Sequence, residues 1–188
     1  MPEPGPRAAA RGRIVAQRPA GDAWVTTAES DGPPVVPHSP CGGDEPCPWR
    51  RDAPAGQFPP EAYRLSAPTT YDQSTRAFGC HSSTPERVRV CAGWVLRGAG
   101  DNFRVRMWVL NGDIDVPHLP EGVELYDSYR EMAIANGVAP DDPAIAPCRG
   151  NGMHWQYRSA DDGNRPRDEA ARPLVVRPGG QTGAGERA

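Results

Sequence analysis

The chain has no lysine: all 21 basic residues are arginine. Aromatics are sparse at 7% and hydrophobic residues reach only 37% of 188 residues. No apolar run is long enough to cross a membrane. The opening residues, Met1 to Ala10, carry no apolar core of a secretory leader, which leads to the expectation of a cytoplasmic protein. A basic excess is missing too, since the net charge is −3. That leaves nucleic acid possible but not favoured as a partner. No glycine-rich phosphate loop, nucleophile elbow or His-Glu-x-x-His is found, and no catalytic residue is assigned. Arginine as the sole cation, beside much Ala, Gly and Pro, is the composition expected of a GC-rich genome, whether phage or bacterial.

Present in excess are 21 glycines and 23 prolines. They crowd the two ends, and the folded part is expected to be shorter than the chain. Residues 1–37 read as a disordered N-terminal tail, with a short strand around Ile14 or Trp24 as an option. Residues 38–140 read as the cysteine-cluster domain, and 141–188 as a mostly disordered C-terminal tail in which His154 to Tyr157 form a small island able to dock.

Within the central segment, Pro59-Pro60-Glu61 starts a short helix through Leu65. Residues 69–75 are polar and read as a mobile loop. Residues 77–81 form an extended piece delivering Cys80. Further helices are expected over 89–97, stopped by Gly98, and over 101–111, with Asp101 or Asn102 as N-cap. The latter places Phe103, Met107 and Leu110 on one apolar face, read as core. A helix over 123–136 carries Leu125, Tyr129, Met132 and Ala133 at helical spacing before Gly137. The fold class that follows is a small, mainly α domain with short extended pieces and much irregular structure, stapled by a four-cysteine metal site.

That site rests on Cys41, Cys47, Cys80 and Cys91. Cys41 and Cys47 lie six positions apart around Gly42-Gly43, which allow the backbone to fold back. Cys80 and Cys91 lie eleven apart. Clustered cysteines in a reducing compartment more often bind metal than form disulfides, and five is an odd number for a closed disulfide set. Four thiolates suit zinc, with an iron–sulfur cluster as the alternative that Cys47-Pro48 favours. Four ordinary buried cysteines is the competing reading. Thiol-redox catalysis by Cys41 and Cys47 is disfavoured, because the Cys-x-x-Cys spacing that lowers a thiol pKa is absent. His81, Arg50 and Trp94 are candidates for supporting contacts to the thiolates, and His81 is also a substitute ligand. Cys148 with His154 is a weak candidate for a second site. A site closed by four thiolates points to an interaction module with a protein partner rather than to an enzyme.

Cys47-Pro48-Trp49-Arg50-Arg51-Asp52, Phe58-Pro59, Tyr63, Phe78-Gly79-Cys80-His81 and Cys91-Ala92-Gly93-Trp94 together resemble a bacterial and phage family of unknown function. Its members carry a Cys-x-x-Cys-Pro-[Trp/Tyr]-Arg start, a Cys-His step and a Cys-Ala-Gly-Trp step. The resemblance spans about residues 40–112; Arg106 and Gly112 fit it. It implies a four-cysteine cluster at Cys41, Cys47, Cys80 and Cys91 and supplies no activity. Here five residues separate the first pair, a wider spacing than the family's, which makes Cys41 the least secure ligand.

Overall fold

A computed structural model describes residues 11–32 and 34–148. The expected tail over 149–188, including His154, lies outside the described residues, as do residues 1–10.

The chain is not mainly α. Among the described residues the longest regular element is a strand, β1 (Gly12–Ala20), paired antiparallel with β2 (Ala23–Ser30). This hairpin lies where a tail is expected. Its two-residue loop has Gly21 at φ +65°, the first-position glycine that a type II′ turn requires. The register slips between Ile14 and Ala16. Both strands are largely exposed, and Trp24 keeps 63% of its surface. A hairpin burying so little has a weak hydrophobic signature, which is why composition hid it. Ala20, fully buried, and a hydrogen bond from the Gly12 amide to Pro85 (2.8 Å) anchor it to the remainder of the domain.

The helices are short. They are α1 (Pro60–Ser66), α2 (Ala92–Arg97), α3 (Phe103–Leu110) and α4 (Tyr129–Ala135), each of six to eight residues, and a 3-10 turn, Ala67–Thr70, follows α1. α3 follows its expected cap, Asn102, whereas α2 and α4 start after the expected points because the preceding residues are used in extended pairings. Gly79 pairs with Val90, Val35 with Arg89, and Arg50 with Leu125. Thr69 and Thr70, expected in a mobile loop, are buried.

α3 is rotated relative to the sequence reading. Val105 is fully buried, whereas Phe103, Met107 and Leu110 expose 48%, 38% and 78% of their surface. The rotation follows from the helix start. Buried Asn102 caps α3 by accepting from the Val105 amide (3.0 Å), and its amide group donates to the carbonyls of Thr69 (2.9 Å) and Arg76 (2.8 Å). Those three bonds fix which face turns inward. Asn102→Ala is therefore expected to cost about 2 kcal/mol or more, through a lost cap and two stranded carbonyls. Asn102→Asp keeps the cap acceptor but turns a second oxygen on the Thr69 and Arg76 carbonyls in a buried site, and should destabilise at least as much as Asn102→Ala in a urea unfolding series.

The core gathers Trp49, Trp94, Tyr129, Met132 and Ile145, all essentially inaccessible. Trp49, Phe78 and Tyr129 form an edge-to-face triangle with centroid distances of 5.8 to 6.4 Å. The Tyr129 hydroxyl donates to the Tyr63 carbonyl (2.6 Å). Ile145 and Cys148 are buried in the same core, and Tyr71 donates to the Ala144 carbonyl (2.7 Å). The packed domain thus runs past residue 140, into the stretch expected to be tail.

Candidate metal centre

Two segments bring the four predicted cysteines together as two pairs, Cys41 with Cys80 and Cys47 with Cys91. In the first, residues 41–47 close on themselves through a hydrogen bond from the Cys47 amide to the Cys41 carbonyl (3.0 Å), with Gly43 at φ +83° inside the loop. The wide spacing of this pair is accommodated by that turn. In the second, the Cys80 amide bonds to the Arg89 carbonyl and the Cys91 amide to the Phe78 carbonyl, both 2.9 Å, holding the two cysteines side by side across a short bridge.

The sulfurs pair between segments, not within them. Cys41 Sγ lies 3.6 Å from Cys80 Sγ, and Cys47 Sγ lies 3.3 Å from Cys91 Sγ. All are free thiols. Around a tetrahedral zinc with bonds of about 2.3 Å, neighbouring sulfurs sit about 3.8 Å apart, so both pairs are close to one edge of such a shell. Cys41, Cys80 and His81 each offer a ligand atom, and the three lie within 4.8 Å of one another. Cys47, Cys80 and Cys91 are buried; Cys41 is partly exposed.

The electrostatics of the two pairs differ. Cys47 is held below the ordinary thiol value, first by the hydrogen bond from Cys91, then by the backbone amides of Trp49 and Gly93 and the charge of Arg50, against the opposing effect of burial. Cys91 is pushed well up by burial and by its proton-sharing with Cys47. Burial and the adjacent Cys80 raise Cys41 to about 11. One thiolate is thus favoured and its neighbours resist ionising beside it. Further ionisation needs a positive charge among the sulfurs. Arg50 is already engaged by Asp52 through two hydrogen bonds of 2.7 and 2.5 Å. A soft divalent cation would supply that charge, and sulfur and imidazole are donors that suit one.

Of the expected supporting residues, Arg50 stands beside Cys47. Trp94 acts differently from a side-chain donor: its backbone amide faces Cys91, while its indole N–H donates to Thr70 Oγ1 (3.2 Å). His81 donates from Nε2 to the Glu45 carbonyl (3.0 Å). Cys148 is a core residue near the Ala67 carbonyl and lies apart from these sulfurs in the fold; burial raises it to about 12.

Sequence reasoning missed Gly93. A Cβ there would come within 2.6 Å of Trp49 Cβ and 2.9 Å of Cys47 Sγ, so only glycine lets the start of α2 approach the sulfur. The signal was available in the Cys-Ala-Gly-Trp step, where a glycine opens a helix it would ordinarily weaken.

Fold and site together define a small mixed α/β domain built around paired cysteines. Residues 36–149 match the model of a family of unknown function, DUF6283, and the chain belongs to that family. The β1–β2 hairpin precedes the matched region. No curated protein and no solved structure matches the chain. Among the described residues, no helix is long and apolar enough to cross a membrane.

Proposed function

We propose that this domain is a zinc-stapled interaction module, in which Cys41, Cys47, Cys80 and Cys91 supply the thiolates and the ion holds the two cysteine segments together. The convergence of two sulfur pairs at 3.6 and 3.3 Å carries this reading. Four protein donors complete a tetrahedral shell and leave no position for substrate, which suits a structural role. The partner is proposed to be a protein. The apolar side chains of Phe103, Met107 and Leu110, exposed on α3, support that choice, and the acidic net charge disfavours nucleic acid.

An iron–sulfur cluster serving redox sensing or electron transfer is the second reading. Backbone amides directed at Cys47 and Cys91, within a shell of buried Trp49 and Trp94, favour it, since such contacts also tune clusters. Metal analysis with a visible spectrum on anaerobically purified protein separates the two. One zinc per chain and a blank visible spectrum is the expected result. Iron with inorganic sulfide and visible absorption would move the assignment to the cluster, and a metal-free, fully folded protein would end both.

A further inference from the structure

His81 is partly buried, and its two ring nitrogens have different fates. Nε2 meets the carbonyl oxygen of Glu45 at 3.0 Å. A carbonyl only accepts, so Nε2 carries the proton. In a neutral imidazole that places the lone pair on Nδ1. Nδ1 is itself buried and has no hydrogen-bond partner. A buried, unpaired acceptor costs stability unless something occupies it. The neighbouring chemistry names the occupant, because His81 shares its 4.8 Å group with the sulfurs of Cys41 and Cys80. One ring nitrogen donating to a backbone carbonyl while the other is turned toward the ion is the arrangement that orients metal-binding histidines. The imidazole is further steadied by the Phe58 ring, at a centroid distance of 6.3 Å.

We infer that His81 is a direct metal ligand through Nδ1, at the edge of the centre formed by Cys41 and Cys80. This rests on the metal-binding reading above and alters its donor set: the centre draws on sulfur and imidazole, with five donors available to an ion that commonly takes four. Of the four sulfurs, that of Cys41 is the one on a partly exposed residue. The Glu45 carbonyl thereby becomes the group that holds the imidazole at the ion, and the Gly42 to Pro46 loop gains a role beyond spacing two cysteines.

The test is zinc X-ray absorption on the zinc-loaded full chain. The expected shell contains sulfur together with one imidazole, and the imidazole scattering is lost in His81→Ala. Should His81→Ala fail to fold, ring-nitrogen NMR of the 15N-histidine-labelled parent gives the same answer: zinc addition shifts His81 Nδ1 while Nε2 keeps its proton. A shell of four sulfurs and no imidazole overturns the inference and leaves the metal centre standing. An imidazole that persists in His81→Ala overturns it as well, by assigning the nitrogen to another histidine. A parent chain that binds no zinc overturns both this inference and the reading beneath it.

Discussion

Trp49→Ala should cost about 3–5 kcal/mol, a large share of the stability of a domain this size. The indole is fully buried and forms two sides of the aromatic triangle with Phe78 and Tyr129. It is also the surface against which both ends of α2 rest. A Cβ on Gly98 would come within 2.5 Å of its ring, and one on Gly93 within 2.6 Å of its Cβ. Its main chain is equally committed: the carbonyl accepts from the Tyr126 amide at 3.0 Å, and the amide faces Cys47. Truncation removes the packing of the ring while leaving those backbone bonds to a weakened frame. Urea unfolding of the parent and variant measures the difference. Trp49→Phe, which keeps an aromatic ring in the site, should recover most of it. A loss below about 1 kcal/mol in Trp49→Ala would mean that the triangle is not the centre of the core.

Cys47→Ser should abolish stoichiometric zinc and, with it, cooperative unfolding. Its sulfur is buried, is the one poised toward thiolate, and sits 3.3 Å from Cys91. A serine hydroxyl is a poor substitute for a soft donor. Structural zinc contributes roughly 10–16 kcal/mol of apparent binding free energy in small peptides, which is folding free energy where the site forms only on folding. Zinc content after dialysis and a thermal melt report the two losses separately. Cys148→Ser is the matching control: it changes a buried thiol outside the centre and should leave zinc content intact. A Cys47→Ser protein with one zinc and an unchanged melt would remove Cys47 from the ligand set.

The parts of this fold legible in sequence are those written in local chemistry. Pro60 opening α1, Asn102 capping α3 and Gly137 ending α4 at φ +89° each follow from what a backbone position demands of its residue. The apolar stripe of Tyr129, Met132 and Ala133 is buried, as its spacing predicts. The partnering of the sulfurs was not legible. Neighbours in sequence suggested pairs 41–47 and 80–91, while the sulfurs meet as 41–80 and 47–91. Partnering depends on how two loops face each other, which spacing does not encode. For the same reason α3 was assigned the wrong inward face. Its periodicity supports Phe103, Met107 and Leu110 as readily as Val105, and the choice was made by the contacts of Asn102 to Thr69 and Arg76, residues 33 and 26 positions away. Of the hairpin only a short strand around Ile14 or Trp24 was legible, because its strands bury little, and residues 141–148 were missed because Ile145 and Cys148 are isolated apolar residues among Pro, Asp and Ala.

The crossed partnering of the sulfurs bears on the order in which the molecule can be assembled. Drawn as chords on the chain, 41–80 and 47–91 intersect, so neither lies inside the other. A nested pair could close like successive buttons, the inner one first, as the chain emerges during synthesis. Intersecting chords forbid that sequence: nothing can fasten until residue 80 exists, and the second fastening follows only eleven residues later. The whole excursion between them, which includes α1 and the 3-10 turn, is therefore made before its ends are tied, and it is enclosed by both ties at once.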